Sequence, residues 1–232
     1  MKVGVVQFPG SLDDRDAAWA FDRLGADTEL LWHDATDIGD VDAVVLPGGF
    51  SYGDYLRCGG IARFARIMEA VAEHAHAGGL VLGICNGFQI LTEAGLVSGA
   101  LVRNESASYV CAPVHLRVEN NEIPHLRRAT AGQVLRMPIK HGEGRYVADA
   151  TTIKSMEERG QIVLRYCDAD GTNGGNPNGS TDGIAGVCNE AGNVMGLMPH
   201  PEHAVDPAVG IRSSDGAILL GSIVDALAGA AR

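Results

Sequence analysis

Three short runs that are almost wholly apolar, Val3 to Gln7, Ala43 to Leu46 and Leu80 to Ile84, constrain the fold more than any other feature of the chain. They are too short for buried helices and rich in β-branched residues, so they predict strands covered on both faces. A fourth strand is expected at Thr28 to Trp32. Helix-like segments lie between them, Asp13 to Leu24 and Ile61 to Ala77, the first with Ser11 or Asp13 as N-cap and Gly25 as terminator. This βαβ rhythm is that of a parallel sheet. After residue 100 it changes, with strands expected at Val110 to Val118, Val134 to Ile139, Gln161 to Tyr166, Ile184 to Cys188 and Val194 to Leu197, and little helix between them. A last helix is expected at Asp215 to Ala228, and the Gly- and Asn-rich stretch Asp168 to Gly183 reads as an exposed loop. The expected fold is α/β: an open, mostly parallel sheet with helices on both faces, extended by antiparallel strands in the C-terminal half. No linker divides residues 1–232, so a single domain is expected.

With 46% hydrophobic residues, 232 residues suffice for a buried core. The net charge of -11 argues against nucleic acid or anionic membranes as main partners. Met1-Lys2 leads straight into a strand-like run, and no run is long enough to span a bilayer. The five cysteines, Cys58, Cys85, Cys111, Cys167 and Cys188, are scattered, with no C-x-x-C pair. That usage predicts a reduced, cytoplasmic setting without structural zinc or other bound metal.

Gly83-Ile84-Cys85-Asn86-Gly87 has the G-x-nucleophile-x-G form of a nucleophile elbow, placed after a buried strand and before a helix. Glycines on either side let strand and helix approach closely, and the helix N-terminus near Asn86 favours thiolate. Such a nucleophile needs a base. Of eight histidines, His33, His74, His76 and His125 sit in polar or helical-surface contexts and read as solvated. His200 follows the apolar run Val194 to Met198 between Pro199 and Pro201, with Glu202 two residues on to orient it. His141 and His203 are weaker alternatives. The remaining cysteines read as buried or incidental. A third element, Leu46 to Asp54 (LPGGFSYGD), follows another parallel strand, at the edge where α/β sites collect. There the Gly49 N–H and the Asn86 N–H are candidate oxyanion donors.

These stretches, "GICNGFQIL", "LPGGFSYGD" and "MPHPE", resemble the class I, triad-type glutamine amidotransferases. Within that family, "PGGFSYGDYLRCGGIARF", "RNESASYVCAPV", "PIKHGEGRY" and "NPNGSTDGIAGVCNEAGNVMGLMPHPE" are similar to glutaminase subunits that serve the formylglycinamide ribonucleotide step of purine biosynthesis. The resemblance implies that Cys85 attacks the glutamine side-chain amide to form a γ-glutamyl thioester, that His200 relays the proton to departing ammonia, and that Glu202 orients His200. It also implies substrate contacts from Gln89, Asn104 and Ser106, with Tyr109 where an aromatic ring is expected.

Ammonia in neutral water is mostly ammonium and cannot attack, so a glutaminase of this kind needs a partner that consumes its product. The chain contains no G-x-x-x-x-G-K-[ST] motif and no dinucleotide fingerprint. ATP and Mg are therefore expected on a separate synthetase subunit, with no cofactor in this chain, and the resemblance adds a small bridging subunit. Asn176 to Ser180 and Lys140 to Arg145 are candidate docking segments. Two other readings remain open from sequence: a stand-alone cysteine amidohydrolase or peptidase, and a non-catalytic redox module, which would not need the oriented base.

Overall fold

The computed structural model describes residues 1–230; the last two residues of the expected domain, 231 and 232, lie outside the described part. Four strands form the parallel half of the main sheet's first part: β1 (Lys2–Gln7), β2 (Asp27–Trp32), β3 (Ala43–Leu46) and β4 (Leu80–Ile84). Helices α1 (Asp14–Arg23), α2 (Ile67–His76) and α3 (Asn86–Glu93) alternate with them. The remaining elements are β5 (Ala100–Val102), β6 (Val110–Val118), β7 (Val134–His141), β8 (Arg145–Val147), α4 (Ala150–Glu158), β9 (Ile162–Cys167), β10 (Ile184–Cys188), β11 (Val194–Leu197) and α5 (Gly216–Ala230).

Nine strands join in the order β2-β1-β3-β4-β11-β10-β9-β6-β7, and β5 pairs with β8 in a small antiparallel sheet. The ladders from β2 to β11 are parallel, and those from β11 to β7 are antiparallel. The α/β class, with a parallel core extended by antiparallel strands, is as expected. One detail differs: β11 belongs to the parallel half, paired with β4 from Val194↔Val81 to Leu197↔Ile84. That placement carries the chain after Leu197 to the same sheet edge as the end of β4.

The connection from β1 to β2 runs one way along the sheet and that from β3 to β4 runs the other. Right-handed crossovers therefore put α1 and α2 on opposite faces, and a crevice opens where the β1 and β3 loops diverge. β3 is buried throughout and β1 at its four central positions, whereas only Leu31 of edge strand β2 is buried. No helix among the described residues is long and apolar enough to cross a membrane.

Several expectations need correction. The helix expected over Ile61 to Ala77 is a 3-10 turn at Ala62–Phe64 and then α2, because Ala65 is extended (φ -60°, ψ 143°) and Ile67 N–H donates to the His33 carbonyl at 3.2 Å. Helix α4 was not expected; Asp149 caps it by accepting from Thr151 N and Thr152 N. Asp13 stands at the N-cap position of α1 without capping it, its carboxylate being engaged elsewhere. Gly25, at φ 89°, follows the end of α1 as expected. The loop after β9 is not exposed throughout: Asn178 and Ser180 are buried. His125 is fully buried with Nε2 on the Val81 carbonyl, and His33 and His74 are half-buried, leaving only His76 of that group exposed.

Candidate active site

Strand β4 ends at Cys85, whose backbone sits at φ 50°, ψ -102°. A non-glycine residue there costs on the order of 1–3 kcal/mol and is held only by its surroundings. Cys85 N–H donates to the Leu197 carbonyl at 2.8 Å, and its own carbonyl accepts from Gln89 N at 3.1 Å. Close packing completes the turn: a Cβ at Gly87 would run into the Leu46 carbonyl, one at Gly83 into the Gly87 backbone, and one at Gly196 into the Phe88 ring. Strand, helix and two neighbouring strands thus touch through glycine, and the thiol is left at the sheet edge, 5% exposed. Its Sγ lies 3.8 Å from the Lys140 carbonyl.

The turn after β11 brings His200 to the same place, with its N–H on the Pro138 carbonyl at 2.9 Å. Its Nδ1 lies 2.5 Å from Glu202 Oε1. A carboxylate can only accept, so Nδ1 carries the proton and Nε2 is the free acceptor; it is buried and takes no partner among the described residues. Burial alone would push the imidazole toward its neutral form, but Glu202 and, once the thiol proton has moved to Nε2, the Cys85 thiolate outweigh it and raise the His200 pKa, so the transferred proton is held on the ring. The arrangement suits a base that takes a proton from sulfur and returns it to a leaving amine.

Around this pair stand residues whose role the sequence did not suggest. Asp13, 3% exposed, holds the Lys140 ammonium and accepts from His203 Nε2 at 3.2 Å, while its second oxygen is 3.7 Å from His200 Nδ1. His203 Nε2 is also 3.6 Å from Glu202 Oε1. Atoms of Asp13, His200, Glu202 and His203 lie within 4.8 Å of one another, a spacing that a cation could use. The Lys140 ammonium already supplies that charge, so the cluster is ionic in character.

The candidate oxyanion donors follow the adjacent strands β3 and β4. Asn86 begins α3, and Gly49, at φ 150°, lies in a segment tied to the loop after β1 by Leu12 N and Asp13 N on the Gly48 carbonyl and Phe50 N on the Gly10 carbonyl. Neither the Gly49 N–H nor the Asn86 N–H donates to another group among the described residues. The Asn86 side chain accepts from Ser51 N at 3.2 Å and donates to Gln89 Oε1 at 2.9 Å, fixing the two segments together.

The expected glutamine contacts divide. Tyr109 is half exposed, and burial together with the charge of Cys85 raises the pKa of its hydroxyl. Gln89 is buried and donates to the Glu143 carbonyl at 2.7 Å. Asn104 is buried, its amide donating to the Ser108 and His141 carbonyls and its oxygen facing Gly144 N and His141 Nδ1, which fixes the segment that carries it. Ser106 is exposed and accepts from Ser108 N. His141, tied to Asn104 and held at a pKa of about 4 by burial and the His200 charge, is not placed as the base. The two segments expected to dock partners bind each other, Asn178 Nδ2 on the Gly144 carbonyl and Arg145 Nε on the Gly179 carbonyl. Burial raises the thiol pKa of Cys58, Cys167 and Cys188, so these are poor nucleophiles.

A parallel sheet with a strained cysteine after one strand and a carboxylate-held histidine after the next defines a triad-type amidotransferase site. The model of the CobB/CobQ-like glutamine amidotransferase domain matches residues 1–214, and the chain belongs to that family. It is 54% identical over 230 residues to phosphoribosylformylglycinamidine synthase subunit PurQ of Synechococcus sp. strain JA-3-3Ab, covering 99% of both chains. To the subunit of the same name from Thermosynechococcus vestitus it is 59% identical over 212 residues, 90% of this chain and 88% of the relative. A chain in the structure of PurLQS from Thermotoga maritima superposes with a TM-score of 0.86 at 43% identity, covering 97% of this chain and 98% of the other.

Proposed function

We infer that this chain is the glutaminase subunit of a phosphoribosylformylglycinamidine synthase, working with PurL- and PurS-like subunits in purine biosynthesis. The observation that carries the reading is the convergence of Cys85, His200 and Glu202 on one sheet edge in a chain that matches PurQ end to end.

In the mechanism we assign, Cys85 Sγ attacks the side-chain carbonyl carbon of glutamine as His200 Nε2 takes the thiol proton. The oxyanion forms against the N–H groups of Gly49 and Asn86; one such donor contributes about 3 kcal/mol to the transition state. His200 then protonates the leaving nitrogen, ammonia departs, and a thioester remains on Cys85. Water, deprotonated by His200, releases glutamate. Glu202 holds the imidazole by Nδ1 throughout. Tyr109 and Gln89 border the substrate, with Ser106 further out at the rim. The absence of a phosphate-binding loop from the sequence supports placing ATP and Mg on the synthetase. A soluble cytoplasmic complex fits the scattered reduced cysteines.

Acid quenching of the assembled complex with radiolabelled glutamine tests the chemistry. The expected result is label bound covalently to Cys85, lost on mild base treatment and absent from Cys85→Ala. Label retained in Cys85→Ala, or glutamate formed at the wild-type rate by that variant, would overturn the assignment.

A further inference from the structure

Gly48 lies between the carboxylate of Asp13 and the ring of His200, where a Cβ would strike both. Asp13 thereby reaches three parts of the site at once. Its backbone N–H holds the Gly48 carbonyl at 3.2 Å, its Oδ2 is 3.7 Å from His200 Nδ1, and its Oδ1 takes the Lys140 ammonium and His203. Lys140 in turn offers its backbone carbonyl to Cys85 Sγ at 3.8 Å. An ion pair this enclosed is costly to desolvate and gives uncertain net stability, so its position beside the base matters more than its contribution to folding.

We propose that Asp13 and Lys140 are positioning residues, a matched pair of opposite charges that sets the pH range over which the Cys85–His200 pair is active. The proposal rests on the glutaminase reading of the site and adds to it what fixes the electrostatic balance there. The groups that face the Cys85–His200 pair are Glu202 and His203 from the His200 turn, Asp13 from the start of α1, Lys140 and His141 from the end of β7, and Tyr109 and Tyr166, which feel the Cys85 charge. Both members of the pair are charged. Burial pushes the Asp13 carboxyl up, but His203, His200 and Lys140 outweigh it and hold it well below the usual carboxylate range. Burial likewise opposes the Lys140 ammonium, and Asp13 more than restores it.

Two charges that cancel leave the base near the balance set by Glu202 and Cys85. Removing either one exposes the other, with opposite consequences. Asp13→Asn leaves a cation that favours the deprotonated forms of thiol and imidazole, moving the titration of the pair to lower pH. Lys140→Met leaves an anion that moves it to higher pH.

The test is the pH dependence of iodoacetamide alkylation at Cys85, read on the Cys85 peptide by mass spectrometry in the full chain. The midpoint should fall by about one pH unit in Asp13→Asn, rise by about one in Lys140→Met, and return to within about 0.3 of wild type in the double variant. If either single variant does not fold, as judged by circular dichroism, Asp13→Ser or Lys140→Gln makes the same charge change. Single variants that shift the same way, or not at all, would overturn the proposal and leave the pair a purely structural contact. Alkylation needs no glutamine, so glutamate release by the complex, measured in parallel, separates a failure of the glutaminase reading from a failure of this one.

Discussion

Cys85 occupies a backbone conformation that glycine would tolerate better, yet glycine would have no sulfur to offer there. The strain is held by the Leu197 and Gln89 hydrogen bonds on either side of it, a pre-organised nucleophile whose geometry does not wait for substrate. At the same scale, Glu202 fixes which nitrogen of His200 carries the proton. Glu202→Gln can keep the shape of the contact but present an amide donor to Nδ1, favouring the wrong tautomer. We expect kcat for glutamate release to fall by about 10²- to 10⁴-fold with little change in KM, and steady-state kinetics checks it. A variant with wild-type kcat would remove Glu202 from the mechanism.

Among the elements, the closeness of α3 to β3 and β4 decides whether the elbow forms. Gly87→Ala puts a methyl group into the Leu46 carbonyl, so the helix must move off the sheet. The expected loss is about 1–3 kcal/mol or more in urea unfolding, with glutaminase activity falling in the residual folded protein. A second element-level effect concerns pH. His125, on the 3-10 turn Pro124–Leu126, is buried against β4 and its pKa is lowered by burial from 6.5 to about 4, the Val81 hydrogen bond opposing. The unfolded chain takes up that proton first. Stability is therefore intact above pH 6.5 and lost as pH falls toward 4, by about 3 kcal/mol from this group. His125→Gln has no proton to gain, so its urea midpoint should decline less between pH 7 and 4 than that of wild type.

The elements show which signals sequence carries. Strands β1, β3 and β4 were legible because burial on both faces leaves an unbroken apolar run, and the elbow because its glycines report backbone contact directly. Helix α4 was not legible because it buries only Ile153 and Met156 and so shows almost no apolar periodicity; its one local signal is the Asp149 cap before Ala150-Thr151-Thr152. The roles of Asp13 and Lys140 were not legible at all. Residues 127 apart meet only through the sheet order, and a lone aspartate before a helix reads locally as a cap.

At the scale of the whole molecule, the loops after β1, β3, β4 and β11 build the active edge, so the candidate triad and oxyanion donors depend on the parallel half of the sheet. The antiparallel half contributes Lys140 and the frame around Asn104, Gly144 and Asn178, which closes one side of the pocket. A product that must be handed over unprotonated ties the activity to the complex that consumes it. On the reading proposed above, this chain supplies ammonia to a synthetase through Cys85. Glutamate release by the purified chain, alone and with its PurL- and PurS-like partners, tests it for wild type and Cys85→Ala. Low activity alone, a strong rise in the complex and none with Cys85→Ala are expected; undiminished activity in Cys85→Ala, or no release by the wild-type complex, would show that Cys85 does not perform this chemistry.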